Sequence, residues 1–261
     1  MTPDRTSTIL VGCAGWSLPR AEQRHFPLEG SHLARYAARL PAVEINSSFY
    51  RPHRPSTYTK WAASVPEPFR FSAKVPKTIT HLRRLVGAED LLDAFLPEVT
   101  SLGPRLGCLL VQLPPSLDFR PNEAEAFFVA LRERYAGAVA AEPRHLTWFG
   151  PEADGLLNAL RVARVAADPP HAPRGGEPGG WPGMVYYRLH GSPRVYYSNY
   201  EPAYLDALAS RLDALARSGV PIWCIFDNTA LGAASANALD LVGKLRDREL
   251  AGEERPARGA A

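Results

Sequence analysis

Cysteine is scarce in this chain: three in 261 residues, Cys13, Cys108 and Cys224, each inside an apolar run. An odd count in strand-like surroundings argues against a disulfide framework and points to free, buried thiols in a reducing compartment. Long hydrophobic runs are missing too. None approaches the roughly 20 residues of a membrane span, and the N-terminus has no apolar signal core, so a cytoplasmic protein with no membrane partner is expected. Nor does one sign of charge dominate. Thirty Lys and Arg against 27 Asp and Glu leave +3, far below a dedicated nucleic-acid binder. The metal spacings HxH and HExxH are absent, and there are only seven histidines. Gly12-Cys-Ala-Gly15 is too short for a dinucleotide-binding turn, which counts against an open doubly wound sheet. No internal repeat and no interdomain linker is visible.

What the chain does have is eight short apolar runs, each stopping on or next to a polar or ionisable residue. They occupy 9–13, 43–46, 69–74, 107–112, 138–142, 163–168, 185–190 and 222–227. Their length and their β-branched or aromatic content read as strands buried on both faces. Glu44, Lys74, Gln112, Glu142, Asp168, His190 and Asp227 lie at or near the run ends. Such ends are costly unless they share a wet mouth. Eight of them pointing one way describe the top of a (β/α)8 barrel, where active sites sit.

Apolar positions at helical spacing fill the gaps. Leu33, Tyr36, Ala37 and Leu40 form one face, and Leu205, Leu208, Leu212 and Leu215 another, between Pro202 and Gly219. Phe127, Phe128, Leu131 and Tyr135 follow Asn122 as a cap, while Leu91, Leu92, Phe95, Val99 and Leu102 carry Pro97 as an expected kink. The Pro/Gly-rich stretch 169–183 replaces the sixth helix. The expected layout is one α/β domain, a single TIM-type barrel with an irregular sixth unit over 7–247, between disordered ends at 1–6 and 248–261.

Charge is unevenly placed. Residues 51–84 hold eight Lys or Arg and one acid, Glu67, a local +7. Beside a polar mouth this suggests an anionic ligand; the plainer reading is a solvated basic face. Glu44 and Glu142 are the leading acid/base candidates, because opposed carboxylates can divide those roles. Lys74, ending an apolar strand, can hold an anion or act as base or nucleophile. Arg144 and Arg188 offer forks for carboxylate or phosphate, and Arg188 shares a strand face with His190. Asn46, Gln112 and Asn228 supply neutral hydrogen bonds. Trp16, Phe49, Tyr50, Tyr196 and Tyr200 can stack a ring or pack the rim. His145 and His190, with Glu44, Glu142, Asp168 and Asp227, are the ligand types of an N/O metal site.

Several of these segments are motifs. Gly12-Cys-Ala-Gly-Trp16, Val43-Glu-Ile-Asn-Ser-Ser-Phe-Tyr50, Phe71-Ser-Ala-Lys74 with Ile79-Thr-His81, and Gln112-Leu-Pro-Pro115 stand in order along the chain. They are followed by Glu142-Pro-Arg-His145 with Trp148, Tyr187-Arg-Leu-His-Gly191, and Phe226-Asp-Asn228 with Asn237-Ala238. Together they resemble the domain of unknown function 72 family, the YecE-like proteins, from about residue 11 to 240. Cys13-Ala14, Pro143 and Asp227 depart from its pattern. The resemblance implies a TIM-type barrel and no established activity. The residues suggest an enzyme using acid/base chemistry on an anionic, phosphate-bearing substrate. One alternative is a metal-dependent phosphodiesterase-like or nucleic-acid-processing barrel similar to endonuclease IV, with a divalent metal near Asp168 and Asp227. The other is a non-catalytic barrel that binds a ligand or nucleic acid.

Overall fold

The structure is a computed structural model that describes residues 9–253. One sheet holds β1 (Ile9–Ala14), β2 (Ala42–Ile45), β3 (Arg70–Lys74), β4 (Leu106–Gln112) and β5 (Val139–Glu142). It continues through β6 (Val162–Arg164), β7 (Ala166–Asp168), β8 (Gly179–Gly180), β9 (Val185–Leu189) and β10 (Ile222–Phe226). Their order is β7-β9-β10-β1-β2-β3-β4-β5-β6-β8. Every pairing is parallel except the short β6–β8 contact. The expected sixth strand is broken at Val165, so that β6 pairs with β5 and β7 with β9. Val165 N–H donates to Ala141 O at 2.8 Å. The chain thus closes the ring at its own break, and the fold is a TIM-like barrel.

Helices α1 (His32–Ala37), α2 (Pro55–Ala63), α3 (Glu89–Val99), α4 (Pro121–Arg134), α5 (Pro151–Ala159), α6 (Pro202–Ala216) and α7 (Ala233–Glu253) cover the outside. Four of them start on proline, whose fixed φ and missing N–H suit the first turn. Pro97 lies inside α3, which continues through it. Between β7 and β9 only the β8 bridge interrupts irregular backbone, as the composition of 169–183 led one to expect. At the C-terminal end one expectation needs correction. α7 runs to Glu253, so 248–253 are helical rather than tail. The expected N-terminal tail, 1–6, and residues 254–261 lie outside the described residues.

The barrel interior explains why the polar groups collect at one end. Ala42, Cys108, Leu110, Ala140, Ala163, Tyr186, Trp223 and Ile225 fill its lower part, with the Tyr186 and Trp223 rings stacked at 5.7 Å. Small residues on some strands make room for these large ones on others, as barrel layers require. Gly12 is part of the same fit, since a Cβ there would collide with the Ala42 carbonyl. In that gap the Tyr36 hydroxyl accepts from Cys13 N–H at 2.8 Å and donates to Ala42 O at 2.9 Å. With the lower barrel packed solid, buried polar side chains gather at the C-terminal mouth.

Candidate active site

The alternation of β9 sends Tyr186, Arg188 and then His190 inward, one layer above another. Arg188 has no exposed surface and stands at the centre. Its Nε and Nη2 donate to the two oxygens of Glu44 at 2.9 and 2.7 Å. Nη1 reaches Glu142 at 2.6 Å and Gln112 at 3.5 Å, and Nη2 also reaches Asp227 at 3.0 Å. All five N–H groups are therefore aimed at acceptors on β2, β4 and β5 and on Asp227, which follows β10. A guanidinium buried without such partners would not be tolerated. Below it, the Tyr186 hydroxyl lies 3.0 Å from Glu44 and 2.9 Å from Ser72 Oγ.

His190 lies between two carboxylates. Nδ1 is 3.0 Å from Asp227 Oδ2 and Nε2 is 3.0 Å from Glu142 Oε1. A neutral imidazole has one N–H and could satisfy only one of them. Burial alone would lower its pKa, but the Glu142 charge and the hydrogen bonds to Asp227 and Glu142 prevail and raise it. The imidazolium is the form that fits. Glu142 also accepts from Arg144 Nε and Nη2, both at 3.1 Å. Burial works to raise the Glu142 pKa, yet Arg188, His190 and Arg144 hold it well below 4.5. Asp227 is depressed in the same way, chiefly by Arg188 against its burial.

Lys74 differs from these groups. It is 5% exposed, and its ammonium sits 4.1 Å from the centroid of the Phe49 ring. Among the described residues no carboxylate lies within ion-pair distance of it. Burial, helped by Arg188, pulls its pKa down from 10.5 to about 8 against the pull of Glu44, Glu142 and Asp227. His81 and His171 join it at the mouth. Each is lowered first by burial, then by the charges of Lys74 and Arg144 on His81 and of Arg144 on His171. With His190 protonated, the mouth sets the cations Arg188, Arg144, Lys74 and His190 against the carboxylates Glu44, Glu142 and Asp227. One positive charge is in excess.

The expected site residues are thus partly brought together and partly not. Glu44, Lys74, Gln112, Glu142, Arg144, Arg188, His190 and Asp227 converge. Asn46 follows β2 directly, with its Oδ1 buried and without a hydrogen-bond partner among the described residues. Tyr196 stands on the rim, with its hydroxyl 3.5 Å from Arg144 and its ring edge-on to His190 at 5.8 Å. Asp168 is separated from the other acids: the strand pleat turns it outward, where it accepts from the Tyr200 hydroxyl at 2.8 Å. It cannot join Asp227 around one metal. His145 turns away to cap the turn that follows it, with Nδ1 2.9 Å from Thr147 Oγ1. Asn228 is fully buried and donates to Ser198 O and Asn237 Oδ1, holding the loop after β9. Trp16 packs edge-on against Trp61 and Tyr50 against Phe49, both at 5.0 Å, outside the charged cluster. Tyr200 is buried and stacks on Tyr204 at 4.6 Å, so this part of the aromatic stripe packs the rim.

Sequence reasoning missed Tyr186 and Ser72, although the period of two from Arg188 and from Lys74 would have found them. It also missed His171, which sits in irregular loop with no local pattern to mark it. Glu142, His171 and His190 are the group among the described residues whose ligand atoms lie close enough together, within 4.8 Å, to consider a metal. Two guanidinium groups already occupy that Glu142 carboxylate, and they oppose a divalent cation there.

Comparison with known proteins agrees with the barrel. A DUF72 family protein from Enterococcus faecalis V583 superposes with a TM-score of 0.77 at 22% identity, over 91% of this chain and 95% of that one. Another from Thermotoga maritima MSB8 gives 0.74 at 24% identity, over 92% and 99%. UPF0759 protein YecE of Escherichia coli K12 is 33% identical over 176 residues, which is 64% of this chain. UPF0759 protein YunF of Bacillus subtilis is 26% identical over 149 residues, 55% of this chain and 53% of its own. The match thus spans 62% of the length of the E. coli relative. The sequence pattern described as "Protein of unknown function DUF72" matches residues 10–260, and the chain belongs to that family.

Proposed function

We propose that this protein is a barrel enzyme using acid/base chemistry on a small anionic, phosphate-bearing substrate held at the mouth between Lys74 and Arg144. The observation that carries this reading is the uncompensated charge: Lys74 is buried at the mouth with no carboxylate within ion-pair distance among the described residues, in a cluster with one positive charge in excess. An anion supplies the missing partner and relieves the cost of keeping the ammonium dry. Arg144 keeps Nη1 for the ligand, its one contact there being Tyr196 at 3.5 Å. Arg188 is not an anion clamp, because its donors are already taken. It orients Glu44, Glu142 and Asp227. Proton transfer falls to His190, one layer above Arg188, with Glu142, while Glu44 stays locked between Arg188 and Tyr186.

Thermal unfolding with added inorganic phosphate tests the reading. The melting temperature of the wild type should rise by mass action, and the rise should shrink in both Lys74→Ala and Arg144→Ala. An equal rise in both variants would place the anion elsewhere and sink the site. A second, metal-dependent reading would place an ion among Glu142, His171 and His190, against the two guanidinium groups on Glu142. One divalent ion per chain after purification without chelator would move the assignment there.

A further inference from the structure

Holding an anion explains the charge of Lys74 but not its chemical state. We propose that Lys74 is a nucleophile that forms an imine with a small carbonyl compound carrying a carboxylate or phosphate group. This rests on the anionic-substrate reading above and names its substrate class. Lys74 is the ionisable end of β3, set against the Phe49 ring rather than against an acid. Lys244, by contrast, is tied to Asp206 at 2.7 Å on the surface. A buried amine with an aromatic neighbour and, among the described residues, no carboxylate within ion-pair distance is the arrangement that leaves a lone pair available near neutral pH. A pKa of about 8 instead of 10.5 is consistent with that. The same mouth holds a proton donor, His190, and a fork for the substrate's anionic group, Arg144.

The step balances without any co-reactant. The Nζ lone pair bonds to the carbonyl carbon while the C=O π pair moves onto oxygen. Nζ gives up two protons and that oxygen takes two, with His190 passing them. The oxygen leaves as water as the C=N bond forms.

Reductive trapping tests this on the full chain. The protein is treated with borohydride in the presence of pyruvate and, separately, of dihydroxyacetone phosphate, and adducts are read by intact mass and peptide mapping. We expect one adduct per chain, on Lys74, exceeding that on the exposed Lys60 or Lys77 by on the order of tenfold or more, since lowering the Lys74 pKa from 10.5 to about 8 enlarges its own free-amine fraction. Which probe reacts distinguishes carboxylate from phosphate. Lys74→Arg keeps the charge but has no imine-forming amine. It should lose the adduct and keep most of the phosphate-induced rise in melting temperature; Lys74→Met serves if that variant does not fold. The imine is overturned if neither probe labels Lys74 while phosphate still stabilises the wild type, a result that leaves anion binding intact. It is equally overturned if label spreads evenly over the surface lysines. Loss of both adduct and stabilisation in the wild type would overturn both readings.

Discussion

Lys74 and His190 are displaced in opposite directions, and each shift carries a sign that stability measurements can read. For Lys74 the folded pKa of about 8 lies below the ordinary 10.5, so the unfolded chain binds more protons between those values. Stability must therefore rise with pH across that window, and the cost of the buried charge is fully present below it. The shift corresponds to about 3 kcal/mol. Lys74→Met should accordingly stabilise the protein at pH 7 by an amount of that order, and chemical denaturation should show the gain shrinking toward pH 10. A gain independent of pH would mean that the ammonium is not desolvated. For His190 the raised pKa means that the imidazolium contribution is complete below 6.5 and fades as pH rises through the folded value. Nitrogen-15 spectra should show both ring nitrogens protonated at pH 7. A single-tautomer pattern would contradict the double carboxylate clamp.

At the level of elements, the strand ends hold the charges and the loop after β9 completes the rim. That loop leaves the barrel at Gly191, whose φ of 94° suits glycine. It is tied back by the Tyr200 hydroxyl, which accepts from Gly191 N–H at 2.9 Å and donates to the Asp168 carboxylate at 2.8 Å. Asp168 is therefore a tether, not a member of the site. Tyr200→Phe removes the acceptor of Gly191 N–H and one donor to the Asp168 carboxylate and should cost roughly 1–3 kcal/mol. It should also loosen Tyr196, which hydrogen exchange on that loop would detect. Unaltered exchange would show that the Asn228–Asn237 contact holds the loop by itself. Four helices, α1, α3, α4 and α6, were legible because their apolar spacing acts locally, although Arg120 and not Asn122 caps α4. The extent of α7 was not, since its last turns are polar and small and gave no periodic pattern.

For the molecule as a whole, the clustered basic residues of 51–84 do not act as one patch. Lys74 enters the barrel, Arg83 pairs with Asp90 at 3.5 Å, and Arg84 donates to Ser116 Oγ and O at 3.0 and 2.8 Å. The structure thus divides what the sequence placed together. Binding to a generic polyanion should be weak and should vanish near 0.15 M salt, because few phosphates can be neutralised at once. It should not respond to Tyr196→Ala. Affinity that survives that salt and falls with the tyrosine would establish nucleic acid as a ligand.

The sequence by itself determined the barrel, through eight buried runs with polar ends, and the list of side chains that can meet at its mouth. Strand period and run length are local properties, so they survive without knowledge of partners. Only the tertiary structure decided the roles. Arg188 and Lys74 read alike as cations at strand ends, yet one is saturated by three carboxylates and the other has none within ion-pair distance among the described residues. That difference depends on which strands face each other across the closed ring. It depends too on an irregular loop that delivers His171, and neither is written in any single segment of the chain.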